Sequence, residues 1–143
     1  MRVSRKGMYA VESMVVLADN DSINMSVSEV ANARHCSFKF LEHVFRDLKN
    51  AGLVVSVRGK NGGYQITKDP ADITCKEIVL AVENHLSTAP CSQDVCPQAG
   101  SCMTQKMWCD LQLELYRELE EITLQDLVDS YREAVHNEIN YQI

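Results

Sequence analysis

The sequence predicts a mostly α-helical chain with one small β-hairpin: three helices lead into the hairpin and a long helix follows it. Three observations carry this. Before residue 52, apolar residues recur at helical spacing in runs separated by capping residues and breakers. Leu53 to Val57 is rich in β-branched residues and runs into the glycine-rich turn Arg58-Gly59-Lys60-Asn61-Gly62-Gly63. Beyond residue 103, Trp108, Leu111, Leu115, Leu119 and Ile122 repeat at intervals of three or four residues, a seam of coiled-coil type.

In order, Ala10, Val11, Met14, Val15, Leu17 and Ala18 place a first helix over about residues 4–19, which Asp19-Asn20-Asp21-Ser22 breaks. Ser26-Val27-Ser28-Glu29 is a capping box, in which the serine side chain and the glutamate three residues on satisfy each other's backbone N–H groups. It opens a short helix to about Arg34. Ser37 is the expected N-cap of a third helix ending before Gly52, with Leu41, Val44, Phe45 and Leu48 inward and Lys39, His43, Arg46 and Asn50 outward. The return strand of the hairpin is expected over Tyr64 to Thr67, because Asn-Gly is a strong hairpin signal. Thr74-Cys75-Lys76-Glu77 is a second capping box and opens a helix to about Glu83. Residues 85–103 carry two Pro, one Gly and three Cys and read as a loop. The long helix runs from about Thr104 to Glu121, and a last helix from about Leu124 to Val135. Met8, Met14 and Met25 are core candidates. Three helices followed by a hairpin is the layout of a winged helix-turn-helix. A chain this small has little to bury the later seam against, so the long helix is expected to pair with a second copy. The resulting division is 1–68 for the winged helix-turn-helix and 69–143 for the cysteine loop and dimerisation helices.

The net charge of −6 argues against nucleic acid only when the chain is taken whole. Residues 1–68 hold 10 Lys+Arg against 6 Asp+Glu, a balance of +4, and residues 69–143 hold 4 against 14, a balance of −10. Screening over about 10 Å lets a basic half bind phosphate while an acidic half faces away. No stretch approaches the roughly 18 apolar residues that span a bilayer, and no apolar run follows the N-terminus, so a cytoplasmic protein without a membrane partner is expected. Enzymatic chemistry finds no support: the chain has no Ser/His/Asp order, no phosphate-binding glycine loop before a helix, no paired carboxylates in a site and no Cys-x-x-Cys.

A helix-turn-helix sets its second helix in the major groove, with residues near that helix's N-terminus at the base edges. Here these are Ser37, Lys39, Glu42 and His43. Ser37, Lys39 and Arg46 can hold phosphates, and Glu42 can accept from cytosine N4. At the hairpin tip Arg58 and Lys60 stand among glycines that allow close approach to a strand or minor groove.

The run Phe40-Leu41-Glu42-His43-Val44-Phe45-Arg46-Asp47-Leu48-Lys49-Asn50-Ala51-Gly52-Leu53-Val54, then Ser56-Val57-Arg58-Gly59-Lys60-Asn61-Gly62-Gly63-Tyr64, resembles the iron–sulfur and nitric-oxide responsive winged-helix repressors (IscR- and NsrR-like). Lys6-Gly7-Met8-Tyr9-Ala10-Val11 and Trp108-Cys109-Asp110-Leu111 are similar too, so the resemblance spans nearly the whole chain. It implies a homodimer on a palindromic double-stranded DNA operator, with the wing Arg58 entering the minor groove. Asn61, Gly62, Gly63 and Tyr64 join the expected DNA-binding set.

Cys91-x4-Cys96-x5-Cys102 brings three soft thiolates into one loop, which suits an iron–sulfur cluster, zinc or copper(I). Without a secretory leader, metal or redox chemistry is expected before structural disulfides. The resemblance favours an iron–sulfur cluster on Cys91, Cys96 and Cys102, with [2Fe–2S] preferred over [4Fe–4S]. The fourth ligand is open. Family members use a histidine where this chain has Gln105, or a carboxylate where it has Met8. Cys109, Glu12, His85, His35 and an exogenous group are the alternatives. The expected mechanism is a reordering of the loop and the long helix as the cluster is gained, lost or damaged, which moves the two DNA-binding halves. A cluster-free regulator sensing oxidants or thiol metabolites by cysteine chemistry is the rival reading.

Overall fold

The computed structural model describes residues 3–20, 24–84, 86–89, 98 and 100–141. Among these residues six α-helices and one two-stranded antiparallel hairpin follow in the order α1 (Arg5–Asp19), α2 (Val27–Arg34), α3 (Phe38–Asn50), β1 (Val54–Val57), β2 (Gly63–Ile66), α4 (Cys75–Val82), α5 (Gln105–Glu121) and α6 (Leu124–Tyr141). A short 3-10 turn, Pro70–Asp72, precedes α4.

The helix starts form as their side chains dictate. Ser4 caps α1 by accepting from the Gly7 N–H. Both capping boxes, Ser26 with Glu29 and Thr74 with Glu77, are complete. Ser37 caps α3 by accepting from Phe40. At α6 Thr123 and Asp126 exchange a similar pair of bonds, at 2.9 and 3.1 Å. Each such cap is worth about 1 kcal/mol. The turn between α2 and α3 rests on His35, a non-glycine residue in the left-handed region at φ 51°, whose N–H completes the end of α2 by donating to Ala31 and Asn32.

One core joins α1, α2, α3, the hairpin, α4 and the start of α6. Ala10, Met14, Val30, Leu41, Val44, Phe45, Leu48, Ile73, Ile78 and Leu124 are all fully buried in it. The expected inward face of α3 is therefore the observed one, and Lys39, His43, Arg46 and Asn50 are exposed as expected. The turn between α5 and α6 is tied back to the start of α4: Cys75 N–H donates to Ile122 at 2.8 Å and Leu124 N–H to Ile73 at 2.8 Å. Among the described residues no helix is long and apolar enough to cross a membrane.

Three expectations are corrected, and the seam expected on the long helix is found partly exposed. Met8 is 54% exposed, because α1 turns Gly7, Ala10, Met14 and Leu17 inward and Met8 lies off that face. The last helix continues past Val135 to Tyr141. The return strand starts at Gly63 and pairs with Val57, so the hairpin loop has five residues, Arg58 to Gly62, and Asn-Gly closes it rather than forming a two-residue turn. Gly59, at φ 119°, supplies the left-handed residue the loop needs. The seam on α5 is incompletely covered within the chain: Trp108, Leu115 and Leu119 are half-buried, whereas Leu111 and Ile122 are exposed.

Candidate nucleic-acid interface and cysteine segment

Lys39, Glu42, His43 and Arg46 recur at helical spacing and all stand exposed on the outer side of α3. Ser37 is exposed beside them, with its hydroxyl oxygen engaged as the cap. Arg46 is held loosely, 3.6 Å from Asp47, with its side chain 61% exposed. Asp47 is turned to α1, where it pairs with Lys6. The Lys6 hydrogen bond, then the charges of Lys6 and Arg46, hold the Asp47 carboxyl below the usual aspartate range. At the base of the helix Lys49 donates to Ser56 of β1 at 3.0 Å, which fixes the hairpin relative to α3.

Arg58, Lys60 and Asn61 stand exposed in the hairpin loop. The glycines that follow have a reason inside the fold. A Cβ on Gly62 would lie 2.4 Å from the Val57 carbonyl, and one on Gly63 only 2.3 Å from the Met25 carbonyl. Met25 and Tyr64 exchange backbone hydrogen bonds at 3.0 and 2.7 Å, so the segment before α2 pairs with β2 at that point. The Tyr64 ring is turned in and stacks on Phe45, with centroids 4.8 Å apart. Phe38, at the first position of α3, is 47% exposed beside the polar stripe. Sequence reasoning passed over it, yet an aromatic edge there can meet a thymine methyl.

Of the three clustered cysteines, Cys91 and Cys96 lie outside the described residues, as does His85. Cys102 is half-buried, three residues before the helical start of α5, in a turn where its N–H and that of Ser101 both donate to the Gln98 carbonyl at 2.9 Å. The Thr104 backbone N–H, then the Thr104 hydroxyl at 3.7 Å and the Gln105 N–H, hold the Cys102 thiol below the ordinary cysteine range. Oriented N–H groups at a helix start stabilise a thiolate, the form that binds metal or reacts. Cys102 therefore suits a soft metal centre. Among the described residues no three His, Cys, Asp or Glu side chains gather as a metal site. Cys109 shares the half-buried side of α5 with Trp108 and the buried Gln112. Glu12 is engaged by Arg34 at 2.7 Å, and His35 is exposed at the end of α2. Burial pushes the thiols of Cys36 and Cys75 up, which fits inert packing residues.

Gln112 itself carried no sequence signal. It is the only buried residue of α5, and it engages the backbone of Leu86 and Thr88, just before Cys91 in the chain.

A helix-turn-helix with an exposed polar recognition face, followed by a hairpin wing, is the architecture of the winged-helix transcription regulators. The chain belongs to the Rrf2 family, whose model, described as an iron-dependent transcriptional regulator, matches residues 3–130. The HTH-type transcriptional regulator IscR of Cronobacter sakazakii is 35% identical over 132 residues, covering 91% of this chain and 82% of that protein. The solved structure of IscR from T. potens is similar at a TM-score of 0.77 and 30% identity, covering 94% of this chain and 90% of that one. CymR, the global cysteine regulator of B. subtilis, is similar at a TM-score of 0.74 and 29% identity, covering 91% and 98%. The family and these relatives are transcriptional regulators, not enzymes, and this chain is a DNA-binding regulator of transcription.

Proposed function

We propose that this regulator binds a palindromic operator as a homodimer and adjusts that binding through an iron–sulfur cluster held by Cys91, Cys96 and Cys102, with [2Fe–2S] the preferred type. The observation that carries the reading is the set of three cysteines within twelve residues, the last of them placed where helix-start N–H groups favour its thiolate. The family's iron-dependent description and the resemblance to cluster-responsive repressors support it. When bound, such a cluster supplies a centre sensitive to redox state and nitric oxide. The chain's own part is to present thiolates and to carry their arrangement into α5. Cys109, on the covered side of α5, is the foremost candidate for a fourth ligand.

In this reading residues 1–68 contact DNA. Lys39, Glu42, His43 and Arg46 face the major groove, Ser37 and its neighbours the phosphates, and Arg58, Lys60 and Asn61 the minor groove. Gly62, Gly63 and Tyr64 contribute by shaping the wing. Residues 69–143 sense and dimerise. Met107, Leu111 and Leu113 on α5, Ile122 just after it, and Tyr131, Val135 and Ile139 on α6 are all exposed, an apolar area that a second copy would cover. The cytoplasm is the compartment that suits such thiols.

A second reading is favoured by the likeness to a global cysteine regulator and by the lowered Cys102 thiol: sensing of oxidants or thiol metabolites by cysteine chemistry with no cluster. Anaerobic iron and acid-labile sulfide analysis with a visible spectrum separates the two. Stoichiometric iron and sulfide in the wild type, lost in Cys91→Ala, supports the cluster. A colourless, iron-free protein that still binds DNA supports thiol chemistry.

A further inference from the structure

Residues 86–89 lie against α5, and the contact is made by directional bonds. Gln112 Nε2 donates to the Leu86 carbonyl at 2.6 Å, and Gln112 Oε1 accepts from the Thr88 N–H at 2.8 Å. The Tyr116 hydroxyl donates to the same Leu86 carbonyl at 3.1 Å. In return the Thr88 hydroxyl donates to the Trp108 carbonyl at 3.0 Å. Trp108, Gln112 and Tyr116 stand four residues apart, in one row along the helix. Gln112 is 9% exposed, on a helix whose other residues are all half-buried or exposed.

Apolar contacts would let an extended segment slide along such a helix, because burial has no direction. A primary amide forbids it. One planar group donates to the carbonyl of one residue and accepts from the N–H two residues on, so a one-residue slip of roughly 3.3 Å breaks both bonds. A carboxylate lacks the donor and an aliphatic side chain lacks both. At its other end the segment begins at Glu83, whose carboxylate accepts from the Ser4 N–H at the start of α1 at 2.8 Å. Glu83 thus touches the first helix of the DNA-binding part while Leu86 and Thr88 touch α5, and Cys91 follows three residues after Thr88 in the sequence.

We propose that Gln112 is a positioning residue that locks residues 86–88 in one register on α5, so that a change at the cysteine segment moves the helix instead of being absorbed by sliding. This rests on the reading of that segment as the sensor. The experiment compares the full-length wild type with Gln112→Leu. Amide hydrogen exchange on the metal-free proteins is expected to show the Thr88 amide exchanging at least tenfold faster in the variant, with the core amides of α1 and α3 unchanged. Affinity is then measured for a duplex selected from a randomised pool by the wild type, before and after reconstitution with ferrous iron and sulfide, and separately after diamide oxidation. The ratio of affinities between states is expected to fall in the variant to less than a third of the wild-type ratio. An unchanged Thr88 amide, or an unchanged ratio, overturns the inference. A wild type whose affinity ignores both treatments overturns the sensor reading, and the locking role is then decided by the exchange result alone. Should Gln112→Leu not fold, Tyr116→Phe removes one bond to Leu86 while keeping the ring. It is expected to speed exchange across 86–88 by a smaller factor, and no change would overturn the inference.

Discussion

Glu83, which ends α4, accepts a hydrogen bond from the backbone N–H of Ser4, the N-cap of α1, and does so over a helix residue that has no side chain. A Cβ on Gly7 would lie 2.6 Å from the Glu83 carboxylate oxygen and 2.8 Å from Val3. The glycine therefore makes room for a carboxylate at the positive end of a helix, where an anion contributes about 0.3–1 kcal/mol. Alanine is the better helix former by about 1 kcal/mol. Gly7→Ala should consequently give little net change in the wild type but stabilise a Glu83→Ala background by up to about 1 kcal/mol. Urea unfolding of the four proteins of this cycle measures the coupling, and strictly additive effects would contradict it.

The Lys6–Asp47 pair ties α1 to α3. Asp47→Asn is expected to lose about 1 kcal/mol at pH 7, as a partly exposed ion pair does. The folded-state pKa of Asp47 is lowered, so its stabilisation is complete above the unfolded value of about 3.9 and disappears as pH falls through the lower folded value. Denaturant melts should show wild type and variant separated equally at pH 7 and pH 5, and converging below about pH 4.

Gly63→Ala places a methyl group against the Met25 carbonyl, and the bond pair between Met25 and Tyr64 has to open. A loss of about 1–3 kcal/mol is expected. Gly100→Ala makes a control, since among the described residues a Cβ there meets nothing within 4 Å. Thermal melts of the two variants should differ in that order.

Arg58 is exposed in the wing loop, whereas Lys106 on α5 pairs with Asp110. Arg58→Ala should weaken binding to a selected duplex by about 1–3 kcal/mol, and Lys106→Ala should leave it unchanged. Fluorescence anisotropy titrations at one fixed salt concentration decide it. Equal effects would remove Arg58 from the interface.

Leu111, 48% exposed on α5, belongs to the apolar area that a second copy covers in the proposed homodimer. Leu111→Glu should leave the helical content intact and shift sedimentation from dimer to monomer. A variant that remains dimeric would move the interface elsewhere on the molecule.

The first three helices, the wing and the start of α4 were legible from the sequence because their signals are local. Caps and boxes act over three residues, and the inward face of α3 is a matter of helical period. The cysteine spacing pointed to soft-metal or thiol chemistry for the same reason, since it needs only residue type and count along a loop. Tertiary structure alone decided what depends on close approach between distant segments. Gly7 and Gly63 are glycine because a carboxylate or a carbonyl from elsewhere fills the space a Cβ would take. Tyr64 stacks on Phe45 because the hairpin packs against α3 through β1, and Met8 is exposed because α1 turns its other side to the core. Gln112 is an ordinary helix residue until the segment before Cys91 is laid against it, and only then do its donor and acceptor have fixed partners. Local pattern records which groups a residue carries; what those groups meet is set by contacts far apart in the chain, for which the sequence has no local signal.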